Sequence, residues 1–365
     1  MRMLMNALNA GNRSGTGRYT TELARALLQH EGEHEYSFAW PRDVAAPAPE
    51  YENNLVRKPT APLPRLVMEH TGMNTLARRI GADILHFPTG IGPRRAVLPV
   101  VLTVHDLCFF HHPEWFSRSR ALYYRGVMAA GIRRADHVIA DSRATAADII
   151  RFMGIPPSRI DTVHLGVDAR FQPTSLEEQK TVRSIYELPE RFFLFLGTIE
   201  PRKNLRRLID AWLMVRDSVP PLVIAGRSGW GNTTIPSEEG ILRVGHIPQE
   251  HLPALYSAAT AFVWPSLMEG FGLPPLEAMA CGAPTLTSNT SSLPEVVGDA
   301  ALQVDPLDND ALAVAMMRLA QDDALRACLR EKGRTRATSF TWRATAQKTI
   351  AVYEKVYAQC CKAPG

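Results

Sequence analysis

Short apolar runs alternate with longer amphipathic stretches along most of the chain. The apolar runs have the length of buried strands and the stretches between them have helical spacing, which is typical of parallel α/β units. Two such series follow each other and predict two doubly wound halves with parallel sheets. The predicted strands are residues 2–8, 36–40, 83–87, 97–104, 137–140 and 160–164, then 192–197, 221–225, 241–244, 261–264, 284–287 and 301–304.

Helices are predicted between these strands, and the break between the two series sets the domain boundary. Residues 173–180 have the composition of a linker. We therefore expect one domain at residues 1–170 and a second at residues 171–344. The predicted helices are residues 17–30, 118–135, 142–153, 205–216, 249–258, 273–281, 310–320, 324–335 and 342–358.

The overall charge is small but unevenly distributed. Of 365 residues 45% are apolar, and 41 Lys and Arg against 37 Asp and Glu give a net charge of +4, which indicates neither a polyelectrolyte nor a nucleic-acid-binding protein. Residues 1–170 hold 21 basic and 16 acidic side chains. Paired arginines such as Arg133 and Arg134, with aromatics nearby, suit contact with anionic lipid headgroups, and scattered solvated charge explains them equally well.

The location is expected to be cytoplasmic, with or without peripheral contact to the inner membrane. No apolar run approaches the roughly 18 residues of a membrane span. Five cysteines without C-x-x-C spacing favour neither a disulfide framework nor a zinc site.

In the first half, chemistry is expected where strands end. Ser14, Gly15, Thr16 and Gly17 join a strand to a helix, where glycines allow backbone amides to approach a phosphate; a plain tight turn is the alternative. His105 directly follows an apolar strand. Its imidazole suits a hydrogen bond to a substrate hydroxyl, or it is merely a satisfied polar side chain.

The second half holds two charged groups of residues. Arg202 and Lys203 precede a predicted helix, where cations oppose the helix dipole, so an anion such as a diphosphate is expected between them unless they are ordinary surface charge. Glu269 lies in a glycine loop, and Glu277 lies eight residues later in an apolar helix. Both carboxylates suit a polyol ligand, and the amides of Gly270, Phe271, Gly272 and Leu273 suit phosphate or sugar oxygens. Asp308 is interpreted as a helix cap, and no metal is expected.

Together these residues resemble the retaining glycosyltransferases of family 4, which have the GT-B fold of two Rossmann-like domains facing each other across a cleft. The resemblance is carried by residues 14–17, 103–107, 141–142, 166–168, 197–204 and 245–246, and above all by the E-x7-E block at 269–277 with 281–284 after it. Residues 105–114 and 197–204 look like bacterial mannosyltransferases of O-antigen and exopolysaccharide synthesis.

The resemblance implies roles for these residues. Glu277 would hold the ribose of the nucleotide, and Glu269 with the amides of 270–273 would hold the donor sugar. Arg202 and Lys203 would neutralise the leaving diphosphate in place of a metal. His105 would contact the donor sugar, while Gly15 and Gly17 would border the diphosphate. The chain departs from many relatives at Thr198, where they carry an arginine.

The resemblance also implies a substrate, GDP-mannose, and no cofactor. UDP-glucose, UDP-N-acetylglucosamine and dTDP-rhamnose are alternative donors. The acceptor would be a saccharide or a lipid-diphosphate-linked saccharide, bound by the first domain, and a C-terminal helix at about 345–365 would pack back on that domain. A non-catalytic nucleotide-sugar-binding protein and an NAD-dependent oxidoreductase stay open as other classes, although Thr20 replaces the third glycine that a dinucleotide loop needs.

Overall fold

The chain folds into two compact units in the computed structural model, which describes residues 1–12, 15–59, 67–230 and 235–360. One unit comprises Met1–Gly166 together with Thr341–Gly365, and the other comprises Val167–Phe340. The chain therefore crosses between the units twice. The crossings follow Gly166 and Phe340, each four residues before a predicted domain end, at 170 and 344.

The first unit contains a parallel sheet with strand order β3-β2-β1-β4-β5-β6-β7 among its described residues. Its strands are β1 (Arg2–Asn6), β2 (Glu35–Pro41), β3 (Leu55–Lys58), β4 (Ile84–Phe87), β5 (Val100–Val104), β6 (His137–Ala140) and β7 (Ile160–Thr162). Its α-helices before the first crossing are α1 (Gly15–Leu28), α2 (Met73–Ile80), α3 (Cys108–His111), α4 (Arg118–Tyr123), α5 (Ala129–Arg134) and α6 (Arg143–Met153).

The second unit repeats the arrangement, with strand order β10-β9-β8-β11-β12-β13. Its strands are β8 (Phe193–Leu196), β9 (Leu222–Ala225), β10 (Ile241–Gly245), β11 (Ala261–Trp264), β12 (Thr285–Ser288) and β13 (Leu302–Val304). Its α-helices are α7 (Leu176–Ile185), α8 (Leu205–Val215), α9 (Leu252–Ala258), α10 (Leu273–Ala280), α11 (Leu293–Val297), α12 (Asn309–Gln321) and α13 (Asp323–Ala337).

The central strands form because their apolar side chains are covered on both faces of the sheet. All residues of β5, β6 and β11 are buried, as expected for a parallel sheet with helices on either side. Each sheet has a switch point where strand order reverses, between β1 and β4 in the first unit and between β8 and β11 in the second. Ligands of doubly wound sheets bind at such points, so the loops after these strands position the site.

Local capping sets several helix ends. The hydroxyl of Ser142 accepts from the Thr145 amide and starts α6, and Asp308 accepts from the Ala311 amide and starts α12. The interpretation of Asp308 as a cap is therefore confirmed.

Three details of the predicted elements need correction. Residues 173–180 are not a linker, because Ser175 and Glu178 form a capping box that starts helix α7. The predicted helix 118–135 is interrupted by the π-helical turn Tyr124–Met128 between α4 and α5. Strand β3 was not predicted, since its residues are only half buried and polar residues end it.

The C-terminal helix α14 (Trp342–Cys360) belongs to the first unit and contacts α1. The hydroxyl of Tyr353 bonds Nδ1 of the buried His86 (2.7 Å), whose Nε2 bonds Thr103 Oγ1 (2.8 Å). Thr103 Oγ1 also lies 3.0 Å from the Tyr19 hydroxyl on α1. Burial lowers the pKa of His86 to about 3, so its ring is neutral in this hydrogen-bonded chain. Residues 361–365 of the predicted helix lie outside the described residues.

Candidate active site

An ionic cluster lies at the switch point of the second sheet. Arg202 and Lys203 follow β8, and Glu269 follows β11, the neighbouring strand. Lys203 Nζ donates to Glu269 Oε1 at 2.5 Å, and Arg202 Nη1 donates to Glu269 Oε2 at 2.8 Å. Both cations that the sequence predicted to hold a diphosphate thus donate to the Glu269 carboxylate.

The surroundings of Lys203 hold its ammonium in one place. It lies over the Trp264 ring, 4.5 Å from the centroid, and the Trp264 indole N–H donates to Glu269 Oε1 at 3.1 Å. Burial, together with Arg202, lowers the pKa of Lys203. Burial opposes ionisation of Glu269, but Lys203 and Arg202 outweigh it and hold its pKa at about 2.

A second carboxylate, missed by the sequence reasoning, joins the cluster. Arg202 Nε donates to Glu200, which is buried. Two carboxylates thus face two cations, and the cluster of these four side chains is neutral as a whole. Glu200 stands in the predicted stretch 197–204, so the only signal in the sequence was an acid two residues before an arginine.

Glu277 lies on the buried face of α10. It is 3% exposed, close to the buried Leu276 and Met279, and its Oε2 accepts from the Tyr256 hydroxyl at 3.3 Å. A carboxylate on an apolar helix face is unusual. The Glu277 carboxylate can accept hydrogen bonds from hydroxyl groups of a ligand.

The loop that connects β11 to α10 has a specific shape. Gly272 has φ +112°, a backbone conformation that other residues adopt only with strain, and it precedes the first residue of the helix, Leu273. The hydroxyl of Ser292 approaches the carbonyl oxygens of Glu269 (3.0 Å) and Phe271 (2.7 Å). These contacts hold the loop from Glu269 through Gly270 to Leu273 at the end of β11.

The predicted glycine loop lies in the first unit, at the start of α1. Ser14 is outside the described residues. A Cβ at Gly17 would lie 2.0 Å from the Asn12 carbonyl oxygen, so only glycine fits there. A Cβ at Gly15 would meet no described atom within 4 Å beyond its own chain neighbours. Packing therefore explains the need for Gly17, whereas the described residues place no such constraint on Gly15.

His105 lies beyond the end of β5, as predicted, and has two partners that the sequence reasoning did not assign. Its Nδ1 lies 2.6 Å from Asp141 Oδ2, and its Nε2 lies 2.8 Å from the Pro88 carbonyl oxygen. Pro88 directly follows β4, and Asp141 directly follows β6. The one signal for Asp141 in the sequence was an acid directly after a predicted strand, 137–140.

The structure thus groups the predicted residues by unit. Arg202, Lys203 and Glu269 contact one another in the second unit, where Glu277 lies on the helix that follows. His105 and the two glycines, Gly15 and Gly17, belong to the first unit.

Comparison with known proteins identifies the family. Residues 13–171 match the model described as Glycosyltransferase Family 4, and residues 178–336 match that described as Glycosyl transferases group 1. The O-antigen chain mannosyltransferase B of Escherichia coli is 32% identical over 93% of this chain and 96% of its own length. The chain belongs to glycosyltransferase family 4. The predicted family and enzyme class are confirmed.

Two further comparisons place this glycosyltransferase more broadly. The serotype-specific mannosyltransferase WbdA of Escherichia coli is 28% identical over 94% of this chain, which spans 46% of WbdA. The sucrose-phosphate synthase of Thermosynechococcus elongatus has a TM-score of 0.75 at 21% identity and covers 98% of this chain and 99% of its own. The fold is GT-B, as predicted, and the oxidoreductase alternative loses its basis.

Proposed function

We propose that this glycosyltransferase moves mannose from GDP-mannose to a saccharide or lipid-diphosphate-linked saccharide in cell-surface polysaccharide synthesis. It does so with retention of configuration and without a metal. The ionic cluster of Arg202, Lys203 and Glu269 is the observation that carries the proposal. The mannosyltransferase names of the two Escherichia coli relatives support the sugar.

The cluster suits the departure of a nucleoside diphosphate. Breaking the bond between the sugar C1 and the phosphate oxygen leaves the electron pair on the phosphate and positive character on the sugar. Arg202 and Lys203 are held in place before the donor arrives, so they stabilise the growing negative charge with little reorganisation. Glu269 keeps both cations oriented, and the loop 270–273 offers its backbone to the sugar.

The proposed transfer needs a destination for one proton. The acceptor hydroxyl forms its bond to C1 on the face that the diphosphate leaves, and its proton passes to the departing phosphate oxygen. All bonds and charges then balance without an enzymic nucleophile. Glu277 holds the ribose hydroxyls through its carboxylate.

A thermal-shift panel tests the donor. We expect GDP-mannose, in the presence of a chelator, to stabilise the wild-type protein by about 2.7 kcal/mol at a hundred times its Kd. UDP-glucose, UDP-N-acetylglucosamine, dTDP-rhamnose and NADH serve as controls and should give no comparable shift. A shift with a uridine donor and none with GDP-mannose contradicts the proposed donor, and NMR of the product's anomeric proton tests retention.

We also propose that helix α4 and the π-helical turn after it contact an anionic membrane surface. Residues 115–135 contain five arginines and no acidic residue. Leu122 on this stretch is 73% exposed, Tyr123 beside it is exposed, and Arg118 and Arg120 are exposed in the preceding turn. An apolar side chain surrounded by cations is complementary to anionic headgroups above an acyl layer. In the described residues, no helix is both long and apolar enough to cross a membrane.

Vesicle flotation tests this contact. We expect Leu122→Glu to reduce binding to phosphatidylglycerol-containing vesicles about fivefold or more, since one charge near such a surface contributes about 1 kcal/mol. Leu176→Glu is the matched control, because Leu176 is also 73% exposed but is followed by Glu177 and Glu178. Equal losses in both variants, or equal binding of wild type to neutral vesicles, contradict the proposal.

A further inference from the structure

His105 is held between two hydrogen-bond acceptors. The Pro88 carbonyl oxygen, 2.8 Å from Nε2, only accepts, so Nε2 must carry a proton. The Asp141 carboxylate, 2.6 Å from Nδ1, also accepts when it is ionised. A ring that donates from both nitrogens is an imidazolium.

The groups around this pair favour the charged ring. Asp106 adds negative charge next to His105, while His86 on β4 is neutral and the Tyr19 ring on α1 meets His105 edge-on at 4.9 Å. Burial raises the pKa of Asp141, and the charges of His105 and of His164, which lies after β7, oppose that rise. Burial lowers the pKa of His105, but Asp141 and Asp106 outweigh it and the net shift is upward.

The Asp141 carboxylate is directed at the histidine. Its side chain is 3% exposed, and its Oδ1 has no hydrogen-bond partner among the described residues. Its Oδ2, the oxygen at 2.6 Å from His105 Nδ1, makes the close contact. The charge of the buried carboxylate is therefore met mainly by the imidazolium.

A second histidine–aspartate pair in the same unit shows that proximity alone does not produce this result. His137 Nε2 also lies 2.6 Å from an aspartate oxygen, Oδ2 of Asp161. That oxygen is shared with the Lys355 ammonium at 2.8 Å, and the aspartate is 40% exposed. Burial, with Lys355 and Arg159, lowers the pKa of His137. Asp141 differs because no described cation other than a histidine contacts its carboxylate.

We propose that Asp141 is a positioning residue that keeps His105 doubly protonated and so excludes it as the base of the transfer. This inference rests on the function proposed above. A ring that already carries both protons cannot take one from the acceptor hydroxyl. The proton must therefore leave by another route, and the departing phosphate oxygen supplies one. His105 is then an imidazolium paired with Asp141, and its ring is oriented by Asp141 and Pro88.

NMR of the full-length protein with 15N-labelled histidine tests the protonation state directly. We expect both His105 nitrogens to be protonated at pH 7 and the ring to titrate above the usual value of about 6.5. In Asp141→Asn the titration should move down by about one pH unit or more. Asp161→Asn is the matched control and should leave His105 unchanged, and Asp141→Glu should restore much of the wild-type behaviour.

The pH dependence of kcat with GDP-mannose gives the second readout. Loss of the proton removes the proposed charge, so we expect the alkaline fall in kcat to move to lower pH in Asp141→Asn by the same interval as the NMR titration. A neutral His105 ring at pH 7, or a titration unchanged by Asp141→Asn, overturns the inference whatever the substrate. If Asp141→Asn shifts the NMR titration of His105 but leaves the pH profile of kcat unchanged, the ion pair exists but has no part in the transfer. That result overturns the inference.

Discussion

Replacing Lys203 with methionine is expected to lower kcat by about a hundred- to a thousandfold, the usual cost of losing one preorganised group that stabilises transition-state charge. Methionine keeps most of the apolar stem but loses the ammonium that lies over the Trp264 ring and faces Glu269. Steady-state kinetics with GDP-mannose measures the effect. Arginine at this position should restore only part of the rate, because its planar head does not fit the place of a compact ammonium.

Stability separates the catalytic role of Lys203 from its structural one. Removing one partner of a buried pair should lower the melting temperature by about 5 to 10 °C, equivalent to roughly 2 to 3 kcal/mol. The double variant Lys203→Met with Glu269→Gln removes both charges, so we expect it to regain most of the stability and none of the activity. Recovery of activity in the double variant would show that Lys203 acts only through folding.

Glu277→Gln is expected to raise the KM for GDP-mannose about ten- to a hundredfold with a much smaller change in kcat. A hydrogen bond to a charged group contributes about 1.5 to 3 kcal/mol, and the ribose is remote from the bond that breaks. Steady-state kinetics and donor binding by calorimetry measure the two effects separately. Tyr256→Phe is the matched control, because it removes the tyrosine hydroxyl that bonds Glu277 and leaves the carboxylate.

A donor without ribose hydroxyls tests the assigned contact. With a 2′,3′-dideoxyribose analogue of GDP-mannose, wild type should lose affinity by about the same factor as Glu277→Gln loses with the natural donor. Glu277→Gln should bind this analogue no more weakly than it binds the natural donor. If the variant and the analogue each reduce affinity and the two factors multiply when combined, Glu277 contacts another part of the donor.

Periodicity indicated most of the fold. Buried parallel strands are continuously apolar, so β5, β6 and β11 are evident in the sequence, and strand-end logic located His105 and Glu269 correctly at carboxyl ends. β3 escaped because a half-exposed edge strand has no such apolar run. Helix α7 was hidden because the residues before and within it are mostly polar, although Ser175 and Glu178 already had capping-box spacing.

The pairings inside the site were less accessible. Glu269 is 66 residues from Lys203, and Asp141 is 36 residues from His105. Only the strand order brings β8 next to β11 and β5 next to β6, and a single sequence does not state strand order. The sequence therefore indicated which side chains carry chemistry, while the sheet topology determines which of them share a proton or a charge.

The position of α14 has a consequence for biosynthesis. His86 leaves the ribosome 267 residues ahead of Tyr353, the side chain that bonds its ring. The unit Val167–Phe340 is continuous in the chain and is fully synthesised before Tyr353 appears. It can therefore fold before α14 has been made. The unit made first is completed last, and until then the nascent chain displays the face of α1 that α14 will cover.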